Sequence, residues 1–258
     1  MSSAAVLERV DRPGVRHLRF NRPAKLNALN PPLRDALWSE LNALVDDATV
    51  RVLVLSGSGR AFSAGVDLAA SFDERESGDW AHDRLVSGKW QRILDLLEQV
   101  PQVTVASIQS HCIGGAALVA AACDLRIGAE DLKVRIPEVA LNIPLTWAGL
   151  PRLVREIGLP LTRDLVMTGR ILAAPEALAA GFVQRLCPLE ELAARTDQLV
   201  AELLAMPAAP LAMTRSALSA ISRDRLASTS WADPDLLRWA VNEGSGTTKR
   251  SAAGEGVS

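Results

Sequence analysis

The sequence has few cysteines and histidines, and neither residue type forms a recognisable ligand or disulfide pattern. Three cysteines occur, an odd number without CxxC spacing: Cys112, Cys123 and Cys187. Such usage is typical of reduced, buried thiols in a cytoplasmic protein. Three histidines are scattered, without HExxH or paired spacing: His17, His82 and His111. We therefore expect no metal site.

Long apolar runs and an excess of basic charge are also absent. No apolar run reaches about 18 residues without a charge or a breaker, so we expect no membrane span. The opening residues, MSSAAVLERVDRPG, lack the basic and apolar regions of a secretory signal. The net charge of −2 leaves no basic surface for nucleic acid. These absences predict a cytoplasmic protein with neither a membrane nor a nucleic-acid partner.

The chain has enough hydrophobic residues to form the core of one large domain. It contains 258 residues, of which 48% are hydrophobic and 22% are charged. A chain of this size and composition buries a sizeable core and is not disordered as a whole.

The stretch over 103–138 is the central feature of the sequence. Its first six residues, VTVASI, are mostly apolar and rich in β-branched residues, as in a buried strand. Gly114 and Gly115 break this pattern before a small, apolar helix and a second strand. Backbone N–H groups at such a turn suit an oxygen that becomes negative during a reaction. A tight turn without chemistry is the alternative interpretation.

Strand and helix patterns alternate along the first half of the chain. A hairpin is predicted over 6–20, a helix over 31–46, a strand over 50–55 and another glycine turn over 61–68. This order indicates an α/β fold with parallel strands, whose two glycine turns can lie side by side at neighbouring strand ends.

The rest of the chain shows weaker patterns. Residues Ser71 to Lys89 are predicted to form a loop or a poorly fixed helix. The segment over 139–154 is predicted to be irregular. Helices are then predicted over 161–168, 175–180, 189–206 and 210 to about 223, and the Gly/Ser-rich end over 244–258 is predicted to fray.

Two residues carry possible chemistry on their own. Ser63 lies in AFSAG, close to a G-x-S-x-G nucleophile elbow, with His82 or His111 as a possible base; a turn serine is the alternative. Glu138 follows a strand beside the apolar residues Ile136, Val139 and Ala140. If buried there, its carboxyl would have a raised pKa and could take a proton from carbon; a solvated loop glutamate is the alternative.

Several segments, in the right order, resemble the crotonase (enoyl-CoA hydratase/isomerase) superfamily. They are NRPAKLNALN, AFSAGVDL, CIGGAALVAAACDLRI and MTGRILAAPEALAAGFVQRLCP. The resemblance runs from about Val6 to Leu218. It implies a spiral of ββα units with a core over 1–195. A helical region over 196–258 would build trimers or hexamers made of two trimers, with the last segment disordered or shortened.

The resemblance also implies a site for an acyl-CoA substrate, with no cofactor beyond the coenzyme A of the substrate. The oxyanion donors of the family fall on the backbone N–H groups of Val66 and Gly115. Four residues fall in segments that border the CoA moiety: Leu26, Ala64, Asp67 and Leu68. Of these, Asp67 is expected to hold the turn rather than to touch substrate.

One departure from the family pattern bears on the reaction. Family hydratases carry two glutamates, and the first position is Leu118 here while the second, Glu138, is kept. This resembles the mitochondrial-type Δ3,Δ2-enoyl-CoA isomerases, including an aromatic residue where this chain has Trp147. Isomerisation by Glu138 alone is therefore the implied activity. A hydratase that positions water with another residue, for example from the 71–89 segment, and a non-catalytic acyl-CoA binder are the alternatives.

Overall fold

The computed structural model describes residues 5–70, 79–223 and 232–236. The predicted frayed end over 244–258 lies outside these residues, as does most of the first half of the 71–89 segment. The structure is α/β, as predicted, with two sheets and helices packed on them.

The larger sheet has six strands in the order β1-β2-β3-β4-β6-β9. They are β1 (Leu7–Arg12), β2 (Val15–Phe20), β3 (Val52–Gly57), β4 (Val103–Ile108), β6 (Leu125–Ala129) and β9 (Arg185–Cys187). The predicted hairpin is confirmed, since β1 and β2 pair antiparallel, and every later pairing in this sheet is parallel. Parallel pairing brings the ends of β3 and β4 to the same edge.

A second, three-stranded sheet was not predicted. It consists of β5 (His111–Ile113), β7 (Lys133–Arg135) and β8 (Ile171–Ala173) in the order β5-β7-β8. Strand β5 lies between β4 and the glycine turn, where a direct connection to the helix was expected. Strands of three residues carry too little periodicity to be detected in a sequence. With the helix that follows, β4 and β5 complete one ββα unit.

Eight α-helices have both of their ends within the described residues. They are α1 (Pro31–Val45), α2 (Trp80–Ser87), α3 (Lys89–Leu97), α4 (Gly115–Ala121), α5 (Gly149–Thr168), α6 (Ala174–Ala179), α7 (Leu192–Ala205) and α8 (Ala208–Arg223). Helix α1 begins where the sequence provides a cap, because the Asn30 side chain accepts a hydrogen bond from Leu33 N–H. Its leucines at helical spacing are buried, as predicted: Leu33, Leu37, Leu41 and Leu44.

One prediction about an irregular segment was wrong, and in the 71–89 segment the helical alternative applies over Trp80–Ser87. The segment over 139–154 is irregular only over 142–148, because a 3-10 helix covers Glu138–Leu141 and α5 already begins at Gly149. Pro151 is tolerated there since the first turn of a helix needs no N–H donor at that position. In the 71–89 segment, Asp79 caps α2 through the N–H groups of Ala81 and His82.

The C-terminal helices pack directly on the core. Helix α7 buries Leu199 and Val200 against valines of the larger sheet, and the boundary expected between residues 195 and 196 lies inside this helix. Helix α8 is anchored by Ser219, whose hydroxyl donates to the Glu98 carbonyl at 2.6 Å. No helix within the described ranges is long and apolar enough to cross a membrane. The three cysteines are buried and unpaired, as predicted.

Candidate active site

The two glycine turns lie side by side, as the strand order predicts. Ser63 N–H donates to the His111 carbonyl at 3.0 Å, and Ile113 N–H donates back to the Ser63 carbonyl at 3.2 Å. A Cβ added at Gly65 would lie 2.6 Å from the Ile113 carbonyl oxygen and 3.8 Å from the Gly115 nitrogen. The backbone before Val66 therefore touches the backbone before α4, and only a residue without a side chain allows this approach.

Two backbone N–H groups at these turns border one small cavity. Val66 N–H has no hydrogen-bond acceptor among the described residues. Gly115 is the first residue of α4, so its N–H has no partner inside the helix. Both residues line a cavity of about 40 Å³ together with Glu138. The arrangement can therefore present two donors to one oxygen.

The segment around Leu26 is attached to the first of these turns. Leu29 N–H donates to the Gly65 carbonyl at 2.8 Å, and Ala64 N–H donates to the Leu26 carbonyl at 2.9 Å. Leu26 and Ala64 are both half-buried. Leu68 is 39% exposed and also lines the cavity. Leu26 and Ala64 thus contact each other at the first turn, while Leu68 lies at the cavity itself.

The Asp67 carboxylate is bonded to other groups of the protein. Its carboxylate pairs with Arg22 at 2.9 Å and accepts from Ala70 N–H at 3.4 Å. Arg22 also donates to the Ala28 carbonyl. Asp67 therefore ties the 22–28 segment to the turn, which is the holding role expected of it.

Sequence reasoning missed Asn27, which is fully buried and joins the same two segments. Its side-chain amide donates to the Ser58 and Ala61 carbonyls, each at 2.8 Å, and its side-chain oxygen accepts from Arg22 N–H at 2.8 Å. A polar residue between two leucines was the signal available in the sequence, because a buried amide needs partners.

Glu138 reaches the cavity from the turn after β7. Its Oε1 lies 2.7 Å from where a Cβ on Gly114 would be, and Gly114 has a φ of +54°. Its Oε2 is buried and has no hydrogen-bond partner among the described residues. Burial raises the pKa of Glu138 to about 7, against a smaller lowering by a hydrogen bond from its own backbone N–H.

The residues that surround Glu138 differ from those expected. Ile136 is buried, but Val139 is 54% exposed and Ala140 is exposed as well. The apolar surroundings come instead from the segment that follows and from two earlier parts of the chain, which line the cavity together: Ile143, Leu145 and Trp147, and Val66 and Leu118.

Leu118 and Trp147 form much of the cavity wall. Leu118 is 1% exposed and Trp147 is 5% exposed. The Trp147 ring stacks on Trp90 with the ring centroids 5.2 Å apart. Among the described residues that line the cavity, Glu138 is the one ionisable side chain. The site thus combines one carboxylate of raised pKa with an apolar wall.

The geometry contradicts a nucleophilic role for Ser63. Its side chain is fully buried, and its hydroxyl accepts from Gly65 N–H at 3.2 Å. The His111 ring instead pairs with the Ser110 hydroxyl at 2.8 Å. A buried serine without a histidine partner is a turn residue, so the hydrolase interpretation is wrong.

Comparison with known proteins identifies the family. Residues 11–249 match the family described as enoyl-CoA hydratase/isomerase. This chain belongs to the enoyl-CoA hydratase/isomerase family. The resemblance of the four sequence segments is thereby confirmed, and the chain is an enzyme of acyl-CoA chemistry.

Relatives within the enoyl-CoA hydratase/isomerase family carry different activities in their names. A probable enoyl-CoA hydratase of Mycobacterium bovis is 30% identical over 214 residues, covering 83% of this chain and 80% of that protein. Human mitochondrial Delta(3,5)-Delta(2,4)-dienoyl-CoA isomerase is 34% identical over 190 residues, covering 69% and 56%. The crystal structure of an enoyl-CoA hydratase/isomerase from Mycobacterium paratuberculosis has a TM-score of 0.85 at 21% identity, covering 93% and 95% of the two chains. These similarities establish the fold and the family but do not select one reaction.

Proposed function

We propose that this member of the enoyl-CoA hydratase/isomerase family is a Δ3,Δ2-enoyl-CoA isomerase with Glu138 as its single acid–base residue. The observation that carries the proposal is that Leu118 and Glu138 line the same cavity. Leucine can neither orient a water molecule nor transfer a proton. A reaction that needs one carboxylate and no water therefore fits this cavity better than hydration.

The proposed reaction moves one proton between two carbons. The thioester oxygen of a 3-enoyl-CoA accepts from the Val66 and Gly115 N–H groups. The Glu138 carboxylate takes a proton from C2, and the electron pair delocalises onto the thioester oxygen as a dienolate. Protonated Glu138 then returns the proton to C4, so that the double bond moves from C3–C4 to C2–C3 and Glu138 is ionised again.

The environment of Glu138 suits both halves of this reaction. A pKa of about 7 allows the carboxyl group to accept a proton and to release it near neutral pH. Its buried Oε2 has no hydrogen-bond partner among the described residues, so no protein donor competes for the proton that it would accept. The backbone donors at Val66 and Gly115 supply charge stabilisation of the kind whose loss costs about 10²–10³ in rate per donor.

The rim of the site is the proposed location of the CoA moiety. The bond between Leu26 and Ala64 and the position of Leu68 at the cavity support this location. Asp67 would act indirectly, since its carboxylate is paired with Arg22. No cofactor besides the coenzyme A of the substrate takes part in the proposed reaction.

Trimers or hexamers are the proposed assembly. Helix α8 exposes large apolar side chains, with Met213 at 72%, Leu218 at 62% and Ile221 at 74%. Leu218 and Ile221 line an apolar groove of about 930 Å³ between α5, α7 and α8. Exposed apolar surface of this extent is typical of an interface. Analytical ultracentrifugation tests the assembly, and a monomer would contradict it.

Assays of the purified protein with two substrates distinguish the candidate functions. Isomerisation of 3-hexenoyl-CoA without hydration of crotonyl-CoA would support the isomerase. Hydration of crotonyl-CoA would support the hydratase that the Mycobacterium bovis relative suggests, and it would require a water-positioning residue other than Leu118. Binding of both compounds without turnover would support the non-catalytic binder and would contradict the proposal.

A further inference from the structure

The turn that carries Trp147 has an unfavourable backbone conformation. Trp147 and Ala148 have φ values of +61° and +53°, although neither is glycine. Two consecutive residues in the left-handed region are rare for side chains other than glycine, asparagine and aspartate. Such a turn persists only where surrounding contacts hold it in place.

Two side chains hold this turn from opposite sides. The Trp147 carbonyl accepts from Arg152 Nη1 at 2.5 Å. Ala148 N–H donates to Asp233 Oδ2 at 2.7 Å. Arg152 belongs to α5, directly after the turn, but Asp233 comes from the C-terminal segment over 232–236. The C-terminal segment therefore supplies a direct contact to the turn.

Asp233 is a charged residue in a buried position beside the Trp147 turn. Asp233 is only 8% exposed. Burial raises its pKa, while the Ala148 N–H and the charge of Arg152 lower it. A buried carboxylate is unfavourable unless its hydrogen bonds compensate for lost hydration. The bond to Ala148 is the compensation that the described residues provide.

The held turn fixes the position of the Trp147 indole. One side of the ring stacks on Trp90, and its edge lies against Gly115, where a Cβ would be 2.7 Å from Cη2. The indole also lines the cavity next to Glu138. That cavity measures about 40 Å³, far less than the roughly 300–1,000 Å³ of pockets that hold small-molecule ligands.

The C-terminal segment has its own anchor on α2. Asp235 pairs with Arg84 at 3.0 Å, and both side chains are about 40% exposed. Pro234 lies next to Gly88 at the end of α2. The segment therefore spans from α2 to the Trp147 turn, and its two acidic residues have separate partners.

We propose that Asp233 is a positioning residue that keeps the Trp147 indole closed over the oxyanion turn and so limits the length of the acyl chain that the site accepts. A longer chain has to displace the indole, and loss of the Asp233 contact makes this displacement easier. The inference rests on the proposed function only in that the cavity receives the acyl part of an acyl-CoA.

Binding of saturated acyl-CoAs tests the proposal without turnover. The dissociation constants of butyryl-CoA and octanoyl-CoA are measured by titration calorimetry for the parent, Asp233→Ala, Asp233→Asn and Asp235→Ala. In Asp233→Ala we expect the octanoyl-to-butyryl ratio of dissociation constants to fall by about fivefold or more. Asp233→Asn keeps an acceptor for Ala148 N–H, and Asp235→Ala keeps Asp233, so both should stay within about twofold of the parent ratio.

A second pair of variants separates positioning from a general loss of structure. Trp147→Leu should lower the same ratio, and adding Asp233→Ala to it should change the ratio no further, because the residue through which Asp233 acts is gone. Additive effects, an unchanged ratio in Asp233→Ala, or equal weakening of both ligands would overturn the proposal. Asp233→Ser replaces the alanine variant if that protein is insoluble.

The same titrations separate this proposal from the proposed reaction. If the parent binds acyl-CoAs and shows the expected ratios but does not isomerise 3-hexenoyl-CoA, only the proposed reaction is wrong. If the parent binds neither acyl-CoA, the acyl pocket is wrong and the role of Asp233 is overturned with it.

Discussion

The edge of the Trp147 indole lies directly against Gly115, the first residue of α4. A methyl group added at Gly115 would lie 2.7 Å from Cη2 of the ring. The ring cannot retreat easily, because it is 5% exposed and stacks on Trp90. The backbone donor at Gly115 and the apolar wall of the cavity are therefore fixed by one contact.

Gly115→Ala should impair both activity and stability. The added methyl group displaces either the ring or the turn, so kcat/KM should fall by about 10²–10³ as the proposed oxyanion donor moves. The free energy of unfolding should fall by about 1–3 kcal/mol, as for other overpacked sites. Steady-state kinetics and urea unfolding measure the two effects. In a Trp147→Leu background the stability loss should shrink, and an equal loss in both backgrounds would contradict the contact.

Glu138→Gln should change how stability depends on pH. The pKa of Glu138 is raised from 4.5 to about 7 in the native state, so the native state binds the proton more tightly than the unfolded chain. Its contribution is complete below pH 4.5 and is lost as the pH rises through about 7. At about 1.4 kcal/mol per pKa unit, the parent loses about 3 kcal/mol by pH 8.

Urea unfolding at several pH values checks this sign. The free energy of unfolding of Glu138→Gln relative to the parent should increase by about 3 kcal/mol between pH 4.5 and pH 8. Glu176, whose pKa is lowered by its hydrogen bond to Arg170, offers a matched control. Glu176→Gln should show a trend of opposite sign, since its contribution is lost as the pH falls. A Glu138→Gln difference that does not vary with pH would show that Glu138 is solvated.

Arg152→Met should be strongly destabilising. Arg152 is fully buried and donates to both oxygens of the buried Glu98, each at 3.0 Å, and to Asp95 at 2.6 Å. Its loss leaves the charge of Glu98 with too few partners, which should cost about 3–5 kcal/mol. Arg185→Met is the control, because its pair with Glu202 is about 44% exposed on both sides and is worth under about 1 kcal/mol. Equal losses in the two variants would contradict the buried network.

Ser63→Ala should leave turnover nearly unchanged. The hydroxyl accepts a hydrogen bond from Gly65 N–H, and its removal should lower the free energy of unfolding by about 1 kcal/mol. Because no step of the proposed reaction uses Ser63, kcat should stay within about threefold of the parent. Loss of activity by two orders of magnitude or more would restore Ser63 as a candidate nucleophile.

The elements that the sequence predicts well are those with long periodic patterns. The hairpin over β1 and β2, helix α1 and the buried strand β4 each extend over enough residues to show their alternation or helical spacing. The three-residue strands of the second sheet do not. Helix α5 was missed at its start because Gly149 and Pro151 are also typical of loops.

The candidate site was predictable where it is local in the chain. Glu138, Val66 and Gly115 follow from the glycine turns and the family resemblance, and the structure brings them to one cavity. Asp233 and Asn27 were not predictable in this way. Their partners, Ala148 for Asp233 and Ser58 and Ala61 for Asn27, are distant in the chain. No periodicity reports contacts of that range.

The most direct test of the account is the rate at which Glu138→Gln isomerises 3-hexenoyl-CoA, compared with the parent and with the surface variant Glu176→Gln. Glutamine keeps the size of the side chain but cannot accept or return the proton. The account predicts that kcat falls by about 10³ or more in Glu138→Gln and is unchanged in Glu176→Gln. Isomerisation by Glu138→Gln at the parent rate would contradict the assignment of Glu138 as the single acid–base residue.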